Sequence, residues 1–337
     1  MTLFYNNGQN HPRVFNVFND YFTEIIPFVR RIKKKQLVIP LAILKTMEWS
    51  IYRWYKTPIR RFYGIKSNEL IYMMTNKCNE KCQKCGIWKN SEPNIQYIDV
   101  SYFIDCLKRL HHNLYKVTIT GGEPLLLKND VMAIADEAYR LNIQMETITN
   151  GVNIDESFLH NYAKLGHTLV VSVDTVNKNK WNEFRGTNSF DDVIPKICQA
   201  KEILGDRLRI QSVLAKESIH EIPEVINFCK LNNIKHNIQV YENFGGHWNA
   251  LDENNIENNE FCASRKNICI LPNGDVVKCF YYFRIPRAKE PLGNIAKDDI
   301  IEILCGKRAT EISRIMKTCN LSCKNLACNK PQQRLYN

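Results

Sequence analysis

Between residues 69 and 241, six runs rich in Val, Ile, Thr and Tyr alternate with five helix-patterned runs, and that alternation admits few folds. The strand candidates are Glu69–Thr75, Tyr115–Thr120, Ile143–Thr149, Thr168–Asp174, Arg207–Leu214 and Ile234–Tyr241. Helical stretches fall near residues 99–112, 129–141, 155–164, 189–204 and 220–232, some behind good caps such as Asp155 and Ser189. Strand, helix and strand in succession build parallel βα units, so this segment folds as an open sheet or a partial barrel. Ligands of such folds gather at the carboxyl ends of the strands. The alternation stops near residue 245, where Gly245 and Gly246 lead into an Asn/Glu-rich linker toward a second, smaller domain.

The chain has 337 residues, and its hydrophobic fraction of 44% is enough for a full core, which excludes wholesale disorder. The longest apolar run, Leu37 to Met47, contains Pro40 and Lys45 and is about half the ~20 residues a spanning helix needs. The first residues lack the order of a signal peptide, so a cytoplasmic location is expected. Thirteen cysteines then need an explanation other than disulfides. Cys106, Cys198, Cys229 and Cys305 lie on helix-like stretches and read as buried small hydrophobes. The rest form two groups.

The first group follows the first strand as Thr75-Asn76-Lys77-Cys78-Asn79-Glu80-Lys81-Cys82-Gln83-Lys84-Cys85, a C-x3-C-x2-C spacing. Zinc sites usually build from C-x2-C pairs and need four ligands, and no fourth Cys or His is near. Three thiolates on one short loop suit a cubane iron–sulfur cluster with one iron left open. Thr118-Ile119-Thr120-Gly121-Gly122-Glu123-Pro124 ends the second strand. Its glycines let backbone approach a ligand, and Glu123 can accept from an ammonium group.

With these motifs in this order, residues 68–241 resemble the radical S-adenosylmethionine (SAM) superfamily. The resemblance implies a partial (β/α)6 TIM-like barrel. It implies a [4Fe-4S] cluster on Cys78, Cys82 and Cys85, whose open iron chelates SAM and passes it an electron. It places Gly121, Gly122, Glu123 and Pro124 at the SAM amino group. It places Asn150, Ser172, Asp174 and Arg185 around the ribose and carboxylate, with Arg185 as carboxylate clamp. One departure is Lys84, where the family usually has an aromatic beside the adenine; Trp88 is close enough to supply some of that contact.

The second group begins with Cys262 and continues through Asn273-Gly274, a hairpin turn, to Cys279. Eleven residues separate Cys262 from Gly274 and four separate Gly274 from Cys279. A helix near 298–305 precedes Cys319, Cys323 and Cys328. This resembles the SPASM/twitch extension of radical SAM enzymes, and implies one auxiliary [4Fe-4S] cluster. Cys262 and Cys279 are the expected ligands, joined by two of Cys319, Cys323 and Cys328, with Cys319 and Cys323 favoured. Cys269 reads as a packed thiol. A structural zinc suits four thiolates as well.

Residues 1–66 carry twelve Lys or Arg against three acids, a net +9 of the chain's +11. The catalytic body is nearly neutral, which argues against nucleic acid as a partner. Basic amphipathic helices with Trp and Tyr in this extension suit peripheral contact with the inner membrane face, or packing across the barrel. The expected domains are residues 1–66, a basic amphipathic helical extension; 67–245, the partial barrel; and 246–337, a small cysteine-rich α+β auxiliary-cluster domain. The expected function is reductive SAM cleavage and hydrogen abstraction from a small-molecule or lipid-linked substrate, with flavodoxin or ferredoxin as electron donor. The alternatives are a peptide-modifying maturase and a non-catalytic iron–sulfur or zinc interaction protein. Glu242 and His247 are the acid/base candidates.

Overall fold

The computed structural model describes residues 69–90, 97–241, 245–251, 267–278 and 290–317, all within one compact unit, Lys56–Asn337. Expectations for residues 1–66, Glu242, Cys262, Cys279, Cys319, Cys323 and Cys328 lie outside the described residues.

The parallel strands are β1 (Glu69–Met73), β2 (Lys116–Thr120), β3 (Gln144–Thr149), β4 (Thr168–Ser172), β5 (Leu208–Leu214) and β6 (Lys235–Val240). Between them run α1 (Val100–Leu110), α2 (Lys128–Arg140), α3 (Glu156–Leu165), α4 (Lys178–Arg185), α5 (Phe190–Leu204) and α6 (Ile222–Leu231). Three further strands, β7 (Asn267–Ile270), β8 (Asp275–Val277) and β9 (Gly293–Asn294), precede α7 (Ile300–Cys305) and α8 (Lys307–Lys317). The strand order is β6-β5-β4-β3-β2-β1-β7-β8-β9. The result is an open, mostly parallel α/β sheet, in keeping with the expected partial barrel. β7 pairs in parallel with β1, so the C-terminal hairpin continues the same sheet instead of building a separate one.

Alternation along each strand decides the two faces. Leu70, Val117, Ile119, Met145, Leu169, Val171, Leu208 and Ile210 point toward the helices and are fully buried. Registers such as Leu70↔Val117 and Leu169↔Leu208 bring these residues side by side across the strands. Each such side chain contributes about 1.5–3 kcal/mol on burial. Tyr72 stacks on Phe103 of α1 at 4.2 Å, and Tyr162 of α3 donates to the Thr168 carbonyl at 3.0 Å. His167 accepts from the Met145 amide through Nδ1 and donates to the Ala135 carbonyl through Nε2, which fixes a neutral ring between α2, β3 and β4. The other face carries Lys116, Glu146, Arg209, Gln211 and Gln239, and becomes a polar lumen.

Helix starts follow the caps in part. Asp155 accepts from the Phe158 amide, as its position before Glu156 suggests. Ser189 makes no capping bond to α5; its hydroxyl is committed elsewhere. Helix α4 is absent from the sequence reading because it is strongly polar. Asn177 caps it by accepting from Asn179 and Lys180, and buried Trp181, Phe184 and Arg185 hold it down. Of the four scattered cysteines, Cys106 and Cys229 are buried as expected, while Cys198 is half-buried and Cys305 is exposed. Cys269 is a packed thiol on β7.

Candidate functional site

The loop after β1 carries Cys78, Cys82 and Cys85, and its backbone is attached to three separate segments. At the end of β2, Gly122 donates to the Thr75 carbonyl and Glu123 to that of Lys77, at 2.6 and 2.8 Å. At the end of α4, Lys81 donates to the Arg185 carbonyl and Gln83 to that of Phe184, at 3.0 and 2.8 Å. Beyond β6, His247 donates to the Gln83 carbonyl at 2.7 Å, and Gly245 bridges Cys85. The approach is too close for side chains. A Cβ on Gly122 would meet the Lys77 carbonyl at 2.1 Å, and one on Gly246 would meet that of Lys84 at 2.2 Å. Gly186, which closes α4, lies against Lys81 in the same way. Each of these three lysines immediately precedes a cysteine. Gly245 and Gly246, expected in a linker, are thus part of the site's frame.

The three thiols line one cavity at the carboxyl ends of the strands, none of them in a disulfide. The Glu80 amide donates to Cys78 Sγ at 3.5 Å and the Ile87 amide to Cys85 Sγ at 3.4 Å. Burial pushes the Cys78 thiol up to about 11 and the Cys82 thiol up to about 12, and raises Cys85. Metal binding at such thiols must displace their protons. Among the described residues no three Cys, His, Asp or Glu side chains converge as ligands of a single ion do. A cubane asks for thiolates spread over its separate irons. Three thiols on one loop, with amides aimed at two sulfurs, fit that demand better than a mononuclear zinc site.

Glu80, inside the C-x3-C step, is a buried hub that the sequence reading missed. Its carboxylate pairs with Arg185 and accepts from Ser189 Oγ at 2.7 Å and from the Cys82 thiol at 3.7 Å. Arg185 also donates to the Ser172 carbonyl and stacks over Trp181 at 4.6 Å. The expected carboxylate clamp therefore lines the cavity with its charge already matched by Glu80. Trp181 Nε1 donates to Ser189 Oγ at 2.9 Å, which explains why that hydroxyl caps nothing.

Glu123 also departs from expectation. It is fully buried and does not line the cavity. One oxygen accepts from Leu125 N and Thr149 Oγ1 at 2.8 and 2.7 Å, the other from Asn150 N at 2.7 Å. Burial raises its pKa, opposed by those bonds. Its place is under the end of β3, holding Thr149 and Asn150 at the wall. Pro124 opens a short 3-10 turn and is buried, away from the cavity. Asp174 is buried as well: it pairs with Lys84 and accepts from the Val213 amide at 2.9 Å. Gly121, Gly122, Asn150, Ser172 and Arg185 do line the cavity, together with Trp88.

The far wall comes from β5 and β6, as Gln211, Val213, Gln239 and Tyr241. Gln211 Nε2 donates to Gln239 Oε1 at 2.9 Å. These residues were also missed, though every second position of β5 and β6 faces the lumen and the period alone would have found them. His247 bonds Lys89 at 2.9 Å and does not line the cavity.

Residues 72–229 match the radical SAM superfamily, and residues 262–329 match an iron–sulfur cluster-binding domain, SPASM. GTP 3′,8-cyclase of Vibrio parahaemolyticus is 29% identical over 51% of this chain and 52% of its own length. That of Aliarcobacter butzleri is 24% identical over 72% of this chain and 89% of its own length. The chain thus spans about half the length of the Vibrio relatives it matches. Among solved structures, Streptococcus suis SuiB bound to precursor peptide SuiA has a TM-score of 0.64 at 18% identity, covering 95% of this chain and 84% of SuiB. Native anSMEcpe with bound AdoMet and Cp18Cys peptide has a TM-score of 0.57 at 16% identity, covering 78% of this chain and 88% of that one. At those identities the likeness is one of fold.

Proposed function

The chain belongs to the radical SAM superfamily and carries a SPASM iron–sulfur cluster-binding domain, and from that premise we propose that Cys78, Cys82 and Cys85 hold a [4Fe-4S] cluster with SAM beside it in the cavity. The observation that carries the reading is the three thiols lining one cavity at the carboxyl ends of the strands. When bound, cluster and SAM supply one chemistry: an electron entering the sulfonium releases methionine and a 5′-deoxyadenosyl radical, which takes hydrogen from substrate.

The residues of this chain bind, orient and exclude water. Gly121 and Gly122 let the cysteine loop pack against them, where a Cβ would meet the Thr75 and Lys77 carbonyls, and their backbone lines the cavity. Asn150 and Ser172 offer neutral hydrogen-bonding groups, and Glu123 holds Asn150 and Thr149 in place. Glu80 and Arg185 hold the loop. A second cluster sits on Cys262, Cys279 and two of Cys319, Cys323 and Cys328. A low-potential donor such as flavodoxin or ferredoxin supplies the electron.

The substrate is a small or lipid-linked molecule, as the GTP 3′,8-cyclase relatives favour for the small-molecule class. Among the described lining residues, Lys84 and Arg185 already have carboxylate partners, so neutral polar groups recognise the part of the substrate seated there. A peptide substrate is the second reading, and the Gln211–Gln239 bond favours it. That bond leaves the Gln211 side-chain oxygen Oε1 and the Gln239 side-chain nitrogen Nε2 for a backbone amide. No helix among the described residues is long and apolar enough to cross a membrane. Peripheral contact through the basic residues 1–66 belongs to the same proposal, and salt-sensitive co-sedimentation with anionic vesicles tests it.

Anaerobic reconstitution tests the central reading. The chain is expected to hold about eight irons, and Cys78→Ala, Cys82→Ala and Cys85→Ala together leave about four and abolish 5′-deoxyadenosine formation. Full iron retention in that triple variant would sink the assignment. Extract fractions that raise 5′-deoxyadenosine output, small-molecule or peptide, separate the two substrate classes.

A further inference from the structure

We infer that Asn150 is a positioning residue whose side-chain amide donates to the Cys78 sulfur and so raises the reduction potential of the centre on Cys78, Cys82 and Cys85. The inference rests on the proposed cluster.

Asn150 directly follows β3 and is only 7% exposed. Its Nδ2 lies 2.7 Å from Asn79 Oδ1 and 3.8 Å from Cys78 Sγ, and its Oδ1 accepts from the Val152 amide at 3.0 Å. A side-chain amide has two protons to give, and here one goes to Asn79 and the other to the sulfur. A relay of three asparagines decides which end of that amide faces Cys78. Asn153 Nδ2 donates to the Leu125 carbonyl at 3.3 Å, and Asn79 Nδ2 donates to Asn153 Oδ1 at 3.4 Å, so Asn79 presents its oxygen to Asn150. A backbone carbonyl closes one end of the row and a backbone amide, that of Val152, closes the other. Flipping any one of the three amides sets donor against donor or acceptor against acceptor. The Asn150 backbone is held as well, by its own amide bond to Glu123 at 2.7 Å.

A sulfur that ligates iron is a thiolate, and a hydrogen bond to an ionised acceptor is stronger than one to a neutral thiol. Adding an electron to a cluster puts more negative charge on its sulfurs, so each donor aimed at them favours the reduced form. Backbone amides reach Cys78 and Cys85 from Glu80 and Ile87, but no substitution removes those. Asn150 adds a donor from a different strand, one that a substitution does remove. With both amide protons committed, its side chain has only a lone pair on Oδ1 left for a ligand in the cavity. The residue serves the cysteine loop first.

The test is a redox titration of anaerobically reconstituted full-length protein, without added SAM, followed by electron paramagnetic resonance. The signal to follow is the one that the Cys78/Cys82/Cys85 triple variant loses. Asn150→Leu fills similar space without a donor and is expected to move the midpoint to more negative potential. Asn79→Ala breaks the relay but leaves the donor and its Val152 anchor, and is expected to hold the midpoint. A purely structural role would move both variants alike. An unchanged or more positive midpoint in Asn150→Leu overturns the inference, as does an equal shift in Asn79→Ala. Should Asn150→Leu fail to load iron, Asn150→Ala decides by the same sign: a more negative midpoint supports, any other overturns. Loss of the signal in both Asn150 variants also overturns it, because the residue then serves assembly of the loop. Absence of any triple-sensitive signal in the unaltered protein overturns the cluster reading itself, and this inference with it.

Discussion

The lumen carries charge at both ends, and the two ends use it differently. At the amino end, Lys116 pairs with Glu146 at 3.3 Å, and Arg209 approaches the same carboxylate at 3.8 Å. These side chains are 14–27% exposed and sit on strands that already share backbone ladders. At the carboxyl end, Glu80–Arg185 is almost wholly buried and Lys84–Asp174 nearly so. Both pairs join the cysteine loop to elements about a hundred residues away. The strands that carry the amino-end charges are also held by their backbone ladders. The loop has no ladder of its own, so the carboxyl-end charges and a few clamped amides hold it.

The sharpest way to break that comparison is to remove one charge from each end. Glu80→Ala or Arg185→Ala leaves an uncompensated buried charge and should cost about 3–5 kcal/mol in chemical denaturation. Replacing both by Gln and Met should recover part of that loss, because the desolvation penalty disappears with the pair. A loss below about 1 kcal/mol in the single variants would show that the two ends are alike.

A middle-sized effect comes from His236 near the start of β6, which is tied to Ser212 in the middle of β5. The Ser212 hydroxyl gives its proton to the Val173 carbonyl, so His236 Nε2 donates to Ser212 Oγ, at 2.7 Å. Burial lowers the imidazole from the ordinary 6.5 to about 4. The unfolded chain therefore takes up a proton first, and stability falls as pH drops from about 6.5 toward 4, while this contribution is constant above that window. The expected loss is on the order of 1–2 kcal/mol, and His236→Asn should flatten it. An unchanged acid limb in His236→Asn would assign the loss to other groups. The smallest effect is expected at the amino end: Lys116→Met should cost only about 0.5–1 kcal/mol and leave iron content unchanged. A larger loss there would make the amino-end charges structural after all.

The difference between the ends also explains what could be read in advance. All six barrel strands fall within two residues of expectation, because burial on the helix side imposes a local period that the sequence displays. Helix α4 shows no such period: Lys178–Arg185 is polar apart from Trp181 and Phe184. The cysteine spacing pointed to the loop, but not to what holds it. Ser189 looks like a cap and serves Glu80; Gly245 and Gly246 look like a linker and close on Lys84 and Cys85. Glu123 looks like a ligand contact and braces β3. In each case a partner far away in the chain engages the residue, where no local pattern records the contact.

The three-point attachment of the cysteine loop also sets an order of events in time. Cys85 leaves the ribosome 161 residues before Gly246, the last of its three abutments. At ordinary synthesis rates of about 5–20 residues per second, roughly 8–32 s pass with the thiols made and their frame unfinished. Iron delivered during that interval would meet a loop anchored at one or two corners. A cluster taken up on this loop before Gly246 is made would meet an unfinished frame, so the frame's completion and the loading of the loop are tied together in time.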